Sequence, residues 1–153
     1  MRLRRAGTKA RPNSMDLEIR FVAQSSWSPL AVLACDLRPN LDASGFLDRA
    51  AFQHRYGYEL HGAFENGSPV GLLGVRACCT LSRGPFLQID DLVVAESHRG
   101  AGVGRHMMAY AEAYARSLGL GAVYLEARPT AVGFYESLGL SHHPSPVMRK
   151  VFG

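Results

Sequence analysis

The stretch Ile89-Asp90-Asp91-Leu92-Val93-Val94-Ala95-Glu96-Ser97-His98-Arg99-Gly100-Ala101-Gly102-Val103-Gly104-Arg105 decides how this chain is read. An apolar strand runs into a short turn; three glycines at alternate positions, 100, 102 and 104, then lead into a helix. Glycines at this spacing let backbone N–H groups approach a ligand with no Cβ in the way. The helix that follows contributes unpaired N–H donors and the positive end of its dipole. Arg99 and Arg105 bracket the loop with fixed positive charge. Together these groups suit a pyrophosphate, which amides and guanidinium groups can grip at once. The plainer reading of the same residues is a strand-to-helix turn that binds nothing. No Gly-Lys-Ser/Thr follows the glycines, which counts against a P-loop.

Working outward, the pattern on both sides is that of one α/β domain. Upstream, Leu17–Ala23 alternates like a short strand, and Pro29 and Pro39 flank an apolar segment, Leu30–Leu37, long enough for one or two helical turns. Ser44 reads as the N-cap of a helix over Gly45–Arg55. Tyr58–Phe64 and Val70–Leu81 read as strands joined by the tight turn Glu65-Asn66-Gly67-Ser68, and Phe86–Val94 as the third strand of that meander. Downstream, Val103, Met107, Ala111, Tyr114, Ala115 and Leu118 form a helical stripe that Gly119 and Gly121 end. Ala122–Ala127 then reads as a strand parallel to Phe86–Val94, because a helical crossover joins them. Thr130 is placed to cap a last helix through Leu138, and Met148–Phe152 reads as a closing strand.

Composition narrows the function. At 153 residues, 47% apolar and 20% charged, the chain has the make-up of one soluble globular domain. No apolar run approaches the ~20 residues of a membrane span. Five of its 17 basic residues (Arg2, Arg4, Arg5, Lys9 and Arg11) lie in residues 1–14, which hold no acid. That leaves 12 bases against 13 acids, so the body is not basic and carries no nucleic-acid footprint. Residues 1–14 read as a disordered basic leader and residues 15–153 as the domain. Cys35, Cys78 and Cys79 make no disulfide framework, which fits a reducing cytoplasm. The six histidines show no convincing metal-ligand spacing, so no metal is expected.

Three runs in order resemble the GNAT superfamily of acyl-CoA-dependent N-acetyltransferases: Asp90-Asp91-Leu92-Val93-Val94 its fourth strand, Arg99-Gly-Ala-Gly102-Val-Gly104 its Arg/Gln-x-x-Gly-x-Gly/Ala loop, and Ala131-Val-Gly-Phe-Tyr135-Glu-Ser-Leu-Gly139-Leu the Ala-x-x-Phe-Tyr-x-x-x-Gly pattern of its last helix. Where many members carry an Asn just before that last run, Arg128-Pro129-Thr130 stands here. The resemblance covers roughly Leu17 to Phe152. It implies a single α/β (α+β) domain with a mixed central sheet of about six or seven strands, helices on both faces, and fourth and fifth strands that are parallel and splayed.

The resemblance also implies roles. Backbone amides around Arg99, Gly100, Ala101, Gly102, Val103, Gly104 and Arg105 would hold the pyrophosphate of acetyl-CoA, and main-chain groups of Leu92, Val93 and Val94 the pantetheine and acyl carbonyl. An N–H aimed at that carbonyl would become an oxyanion donor. Tyr135 would stand by the sulfur as acid or hydrogen-bond donor to the departing thiolate. Its ordinary pKa near 10 against about 8.5 for a thiol makes full transfer uphill by about 2 kcal/mol, so donation can suffice. The acceptor amine must lose a proton, because an amine of pKa near 10.4 is mostly charged at neutral pH. Asp90 is favoured as the base, with Asp91, Glu126 and water as alternatives. Alternation along a strand lets only one of the two aspartates face the cleft easily. The expected activity is N-acetyl transfer to a small-molecule or protein amine by direct attack. The competing reading is a non-catalytic acyl-CoA-binding or regulatory module on the same fold. No nucleic acid or membrane partner is expected, and a homodimer stays open because many relatives pair.

Overall fold

A computed structural model describes residues 16–153, and the basic leader, residues 1–14, lies outside them. Strands β1 (Leu17–Phe21), β2 (Tyr58–Glu65), β3 (Ser68–Thr80), β4 (Gly84–Val94) and β5 (Val123–Leu125) form one sheet in chain order. The first four run antiparallel, and β5 joins β4 in parallel. Helices α1 (Ala31–Leu37) and α2 (Ala43–His54) cover one face; α3 (Val103–Ser117) and α4 (Val132–Ser137) pack on the other. The expected α/β class with helices on both faces therefore holds. The strand count does not: the described residues form five strands, not six or seven.

The missing strand is the closing one. Residues 148–152 have no regular structure, and Val147, Met148, Val151 and Phe152 are exposed. Pro144 and Pro146 stand just upstream, and a proline cannot donate to a ladder. Among the described residues the outer edge of β5 is therefore left without a neighbour. Two caps also differ from expectation. Asp42, not Ser44, caps α2, its Oδ1 accepting the Gly45 amide at 2.7 Å; the helix therefore begins at Ala43. Thr130 makes no cap and sits within a 3-10 turn, Pro129–Ala131, that leads into α4.

A β-bulge sets up the region that matters. Gly74 of β3 pairs with Asp91 and Val75 with Ile89, so Asp90 is an extra residue on β4. Before the bulge Leu87 and Ile89 face α3; after it Val93 faces α1 and α2, while Leu92 and Val94 pack towards α3. The extra residue flips the side-chain alternation, and bulges also bend the strand that carries them. The β4–β5 ladder ends there as well. Its pairs are Leu87 with Val123, Gln88 with Tyr124 and Ile89 with Leu125, and none follows. Residues 91–94 of β4 stay paired with β3 but have no strand on the β5 side among the described residues, which is the expected splay; β5 is correspondingly shorter than the predicted 122–127.

Candidate active site

The glycine loop folds as an open amide cradle. Gly100 and Gly102 take positive φ (77° and 88°), a conformation costly for other residues, and Gly102 is the helix N-cap. It has no side chain to cap α3, and the amides of Val103, Gly104 and Arg105 find no partner among the described residues. The first turn nevertheless stays in place. Val103 and Met107 are buried in the core, and the His106 ring N–H donates to the Gly102 carbonyl at 2.8 Å. Gly104 lies under α4, where an added Cβ would stand 3.2 Å from the Phe134 ring. Arg99 donates through Nε to the Val94 carbonyl at 3.2 Å, tying the loop to the free end of β4. Arg105 is exposed and makes no ion pair among the described residues. His98 faces away into a pair with Glu65.

The acids lie on the other side of β4. Because the bulge resets the alternation, Asp90 and Asp91 both line one cavity of about 310 Å3 between β4, α1 and α2, where alternation along an unbroken strand predicts only one. Neither is a lone carboxylate. Asp90 takes a two-pronged bond from Arg76, with Nη2 to Oδ1 at 2.9 Å. Asp91 accepts from the Tyr58 hydroxyl at 2.8 Å and from Arg38 at 3.1 Å. Burial, then the neighbouring Asp91, pushes the Tyr58 phenol far above its ordinary range, so it remains a donor. Hydrogen bonding to Asp90 likewise holds Arg76 charged. Glycine at 74 makes room for this arrangement, since a Cβ there would overlap the Tyr58 hydroxyl. Sequence reading missed Arg38, Tyr58 and Arg76, whose partners lie 14 to 53 residues away. No local spacing announces contacts of that range.

Tyr135 stands apart from the acids. It is half-buried on α4 against Phe134, with ring centroids 5.1 Å apart, and burial raises its pKa above the ordinary phenol value. It lines a larger cavity of about 680 Å3 with β5 and the second half of α3, closed in part by His142 and His143. Neither the glycine loop nor the aspartates line that space. The structure thus brings Asp90 and Asp91 together with Tyr58, and Gly104 together with Val94 and Phe134, but gives Tyr135 its own cavity. Glu126, just past β5, is exposed and unpaired among the described residues. Arg128, in the Arg128-Pro129-Thr130 stretch that stands where many resembling sequences carry an Asn, donates to the Leu37 carbonyl at 2.6 Å and bridges the loop after β5 to the end of α1. Among the described residues no three His, Cys, Asp or Glu side chains gather as a metal site, and no helix is long and apolar enough to cross a membrane.

Comparison with known proteins agrees with this architecture. Over 120 residues the chain is 30% identical to the uncharacterized N-acetyltransferase YhdJ of Bacillus subtilis, covering 76% of this chain and 84% of that protein. The crystal structure of an acetyltransferase from Trypanosoma brucei superposes with a TM-score of 0.73 at 27% identity, over 89% of this chain and all of the other. The fold is also that of the aminoglycoside N-acetyltransferase AAC(6')-Iy, solved in complex with CoA, with a TM-score of 0.76 at 14% identity over 92% and 98% of the two chains. The model of the acetyltransferase (GNAT) family matches residues 24–140, a span from before α1 to the end of α4 that holds the bulge, the amide cradle and Tyr135. The chain therefore belongs to the GNAT family of acetyltransferases and is an acyltransferase.

Proposed function

We propose that the protein transfers an acetyl group from acetyl-CoA to a primary amine by direct attack. The observation that carries this reading is the cradle itself: partnerless amides at Val103, Gly104 and Arg105, with the exposed Arg105 guanidinium beside them, next to a β4 edge left open beyond Ile89. These residues fit a CoA diphosphate, and the open edge fits an extended pantetheine arm that would bond to the main chain of Leu92, Val93 and Val94. Gly100 and Ala101 keep the approach free of bulky side chains, and Arg99 holds the loop to Val94. When bound, acetyl-CoA supplies the activated acyl group. Hydrogen bonds to a charged group contribute about 1.5–3 kcal/mol each, so a few suffice for micromolar binding, which needs about 8 kcal/mol.

The chain's own residues manage the protons. Each oxygen of Asp90 already accepts from Arg76, but a carboxylate oxygen has a second lone pair, so Asp90 can take the amine proton directly or through water. Asp91, fixed by Tyr58 and Arg38, orients that wall, and Glu126 is the competing base. Tyr135, a phenol protonated across the neutral range whose pKa burial raises further, donates to the developing thiolate; its helix α4 meets the glycine loop where Phe134 approaches Gly104. The free thiols of Cys35, Cys78 and Cys79 support a cytoplasmic setting. The open β5 edge and the exposed apolar tail support pairing with a second copy.

The test is calorimetry with acetyl-CoA and CoA, followed by thiol release with a panel of amines. Saturable binding and turnover are expected. Binding without turnover on any amine supports a regulatory module instead, and no binding at all overturns the reading.

A further inference from the structure

The cavity between β4, α1 and α2 carries a charge pattern that family membership does not assign. The charge of its two acids is balanced internally, although Asp90 keeps a lone pair for a proton: both Asp90 oxygens accept from Arg76, and the two Asp91 oxygens accept from Arg38 and Tyr58. The cavity's charged groups with their ion-pair partner are three arginines (38, 49 and 76) against two aspartates, so the residual charge is positive. The surplus has an address. Arg49 and Gln53, one turn apart on α2, both line the wall opposite the aspartates; neither side chain makes a hydrogen bond or ion pair among the described residues. Arg128 does not line the cavity but adds a further cation nearby, bonded to the carbonyl of the lining residue Leu37. A guanidinium fork beside an amide donor matches a carboxylate or phosphate oxygen pair. A polyamine would meet no net negative charge here, because its natural partners are already neutralised.

We infer that the acceptor carries an anionic group, a carboxylate or a phosphate monoester, near the amine that is acetylated, and that Arg49 with Gln53 binds this group. The inference rests on the acetyl-transfer reading above and deepens it. The amine then points across the cavity to the β4 wall, and Arg49 selects among acceptors through KM.

The experiment uses matched acceptors with the full-length protein and acetyl-CoA. The pairs are alanine with alaninamide and glucosamine 6-phosphate with glucosamine, and spermidine serves as a purely cationic amine. At least one anionic member is expected to exceed its neutral partner at least tenfold in kcat/KM and to exceed spermidine as well. Which pair responds separates carboxylate from phosphate. Arg49→Gln is expected to collapse that ratio towards one, chiefly by raising KM, and Arg49→Lys to restore part of it. Turnover of alaninamide, glucosamine or spermidine equal to or better than the anionic members overturns this inference and leaves acetyl transfer standing. CoA binding without turnover of any acceptor overturns both. An anionic preference that survives Arg49→Gln overturns the assignment to Arg49.

Discussion

At the scale of single residues, the site depends on donors held in one protonation state. The donor role proposed for Tyr135 suits a phenol that is protonated at neutral pH, whose pKa burial raises further, and whose hydroxyl bonds no acceptor among the described residues. Tyr135→Phe is therefore expected to lower kcat about 10- to 100-fold, the effect of one charge-assisted hydrogen bond, with CoA affinity unchanged by calorimetry. The base assignment separates by variant. Asp90→Asn should lower kcat at least tenfold with acetyl-CoA affinity unchanged by calorimetry, whereas Glu126→Gln should leave kcat near wild type; the reverse result moves the role to Glu126. Gly74 shows how one missing Cβ supports the cluster. In Gly74→Ala the methyl group meets the Tyr58 hydroxyl, and the overpacking should cost about 1–3 kcal/mol in urea unfolding. The roles proposed for Arg38, Arg49, Tyr58 and Arg76 were illegible in the sequence, because these residues gather around one cavity only when strands and helices distant in sequence meet.

At the scale of elements, β2 and α3 share a buried polar link with a pH signature. His61, 1% exposed, contacts the Tyr110 hydroxyl at 2.7 Å and Glu59 at 3.2 Å, and Glu59 also accepts from Tyr114. Burial lowers the His61 pKa below its ordinary value, outweighing Glu59, which raises it. The unfolded chain then binds the proton more readily than the folded one. Stability from this group is complete above about pH 6.5 and falls as pH drops below it. Thermal unfolding should show a lower Tm at pH 5.5 than at pH 7.5, and His61→Gln should shrink that difference. A Tm independent of pH over this range would show that His61 is not the titrating group. The glycine loop, the strand before it and the helix after it were all readable as elements, because spacing, capping and periodicity are local properties. The bulge at Asp90 was not: it exists only in the register of β4 against β3.

At the scale of the whole molecule, two features left open by one copy complement each other. Among the described residues the outer edge of β5 has no neighbour, and Val147, Met148, Val151 and Phe152 in the tail are exposed. Unpaired strand edges recruit strands, and apolar segments seek burial. Light scattering at micromolar concentration is expected to give a dimer, and truncation after Ser145 a monomer. A monomeric full-length chain would refute the pairing.

Residues 89–105 and 131–140 by themselves pointed to the family and to the glycine loop, and the pattern of the segments around them to the two-faced α/β layout and the parallel crossover. Those features follow from glycine spacing, side-chain period and the handedness of a β–α–β unit, all written within a few tens of residues. Tertiary structure alone decided that the sheet stops at five strands, that both aspartates share one cavity, and that arginines from three separate elements neutralise or outnumber them. Register, ion pairing and net charge in a cavity are sums over segments far apart in the chain, and they take a value only once those segments have packed.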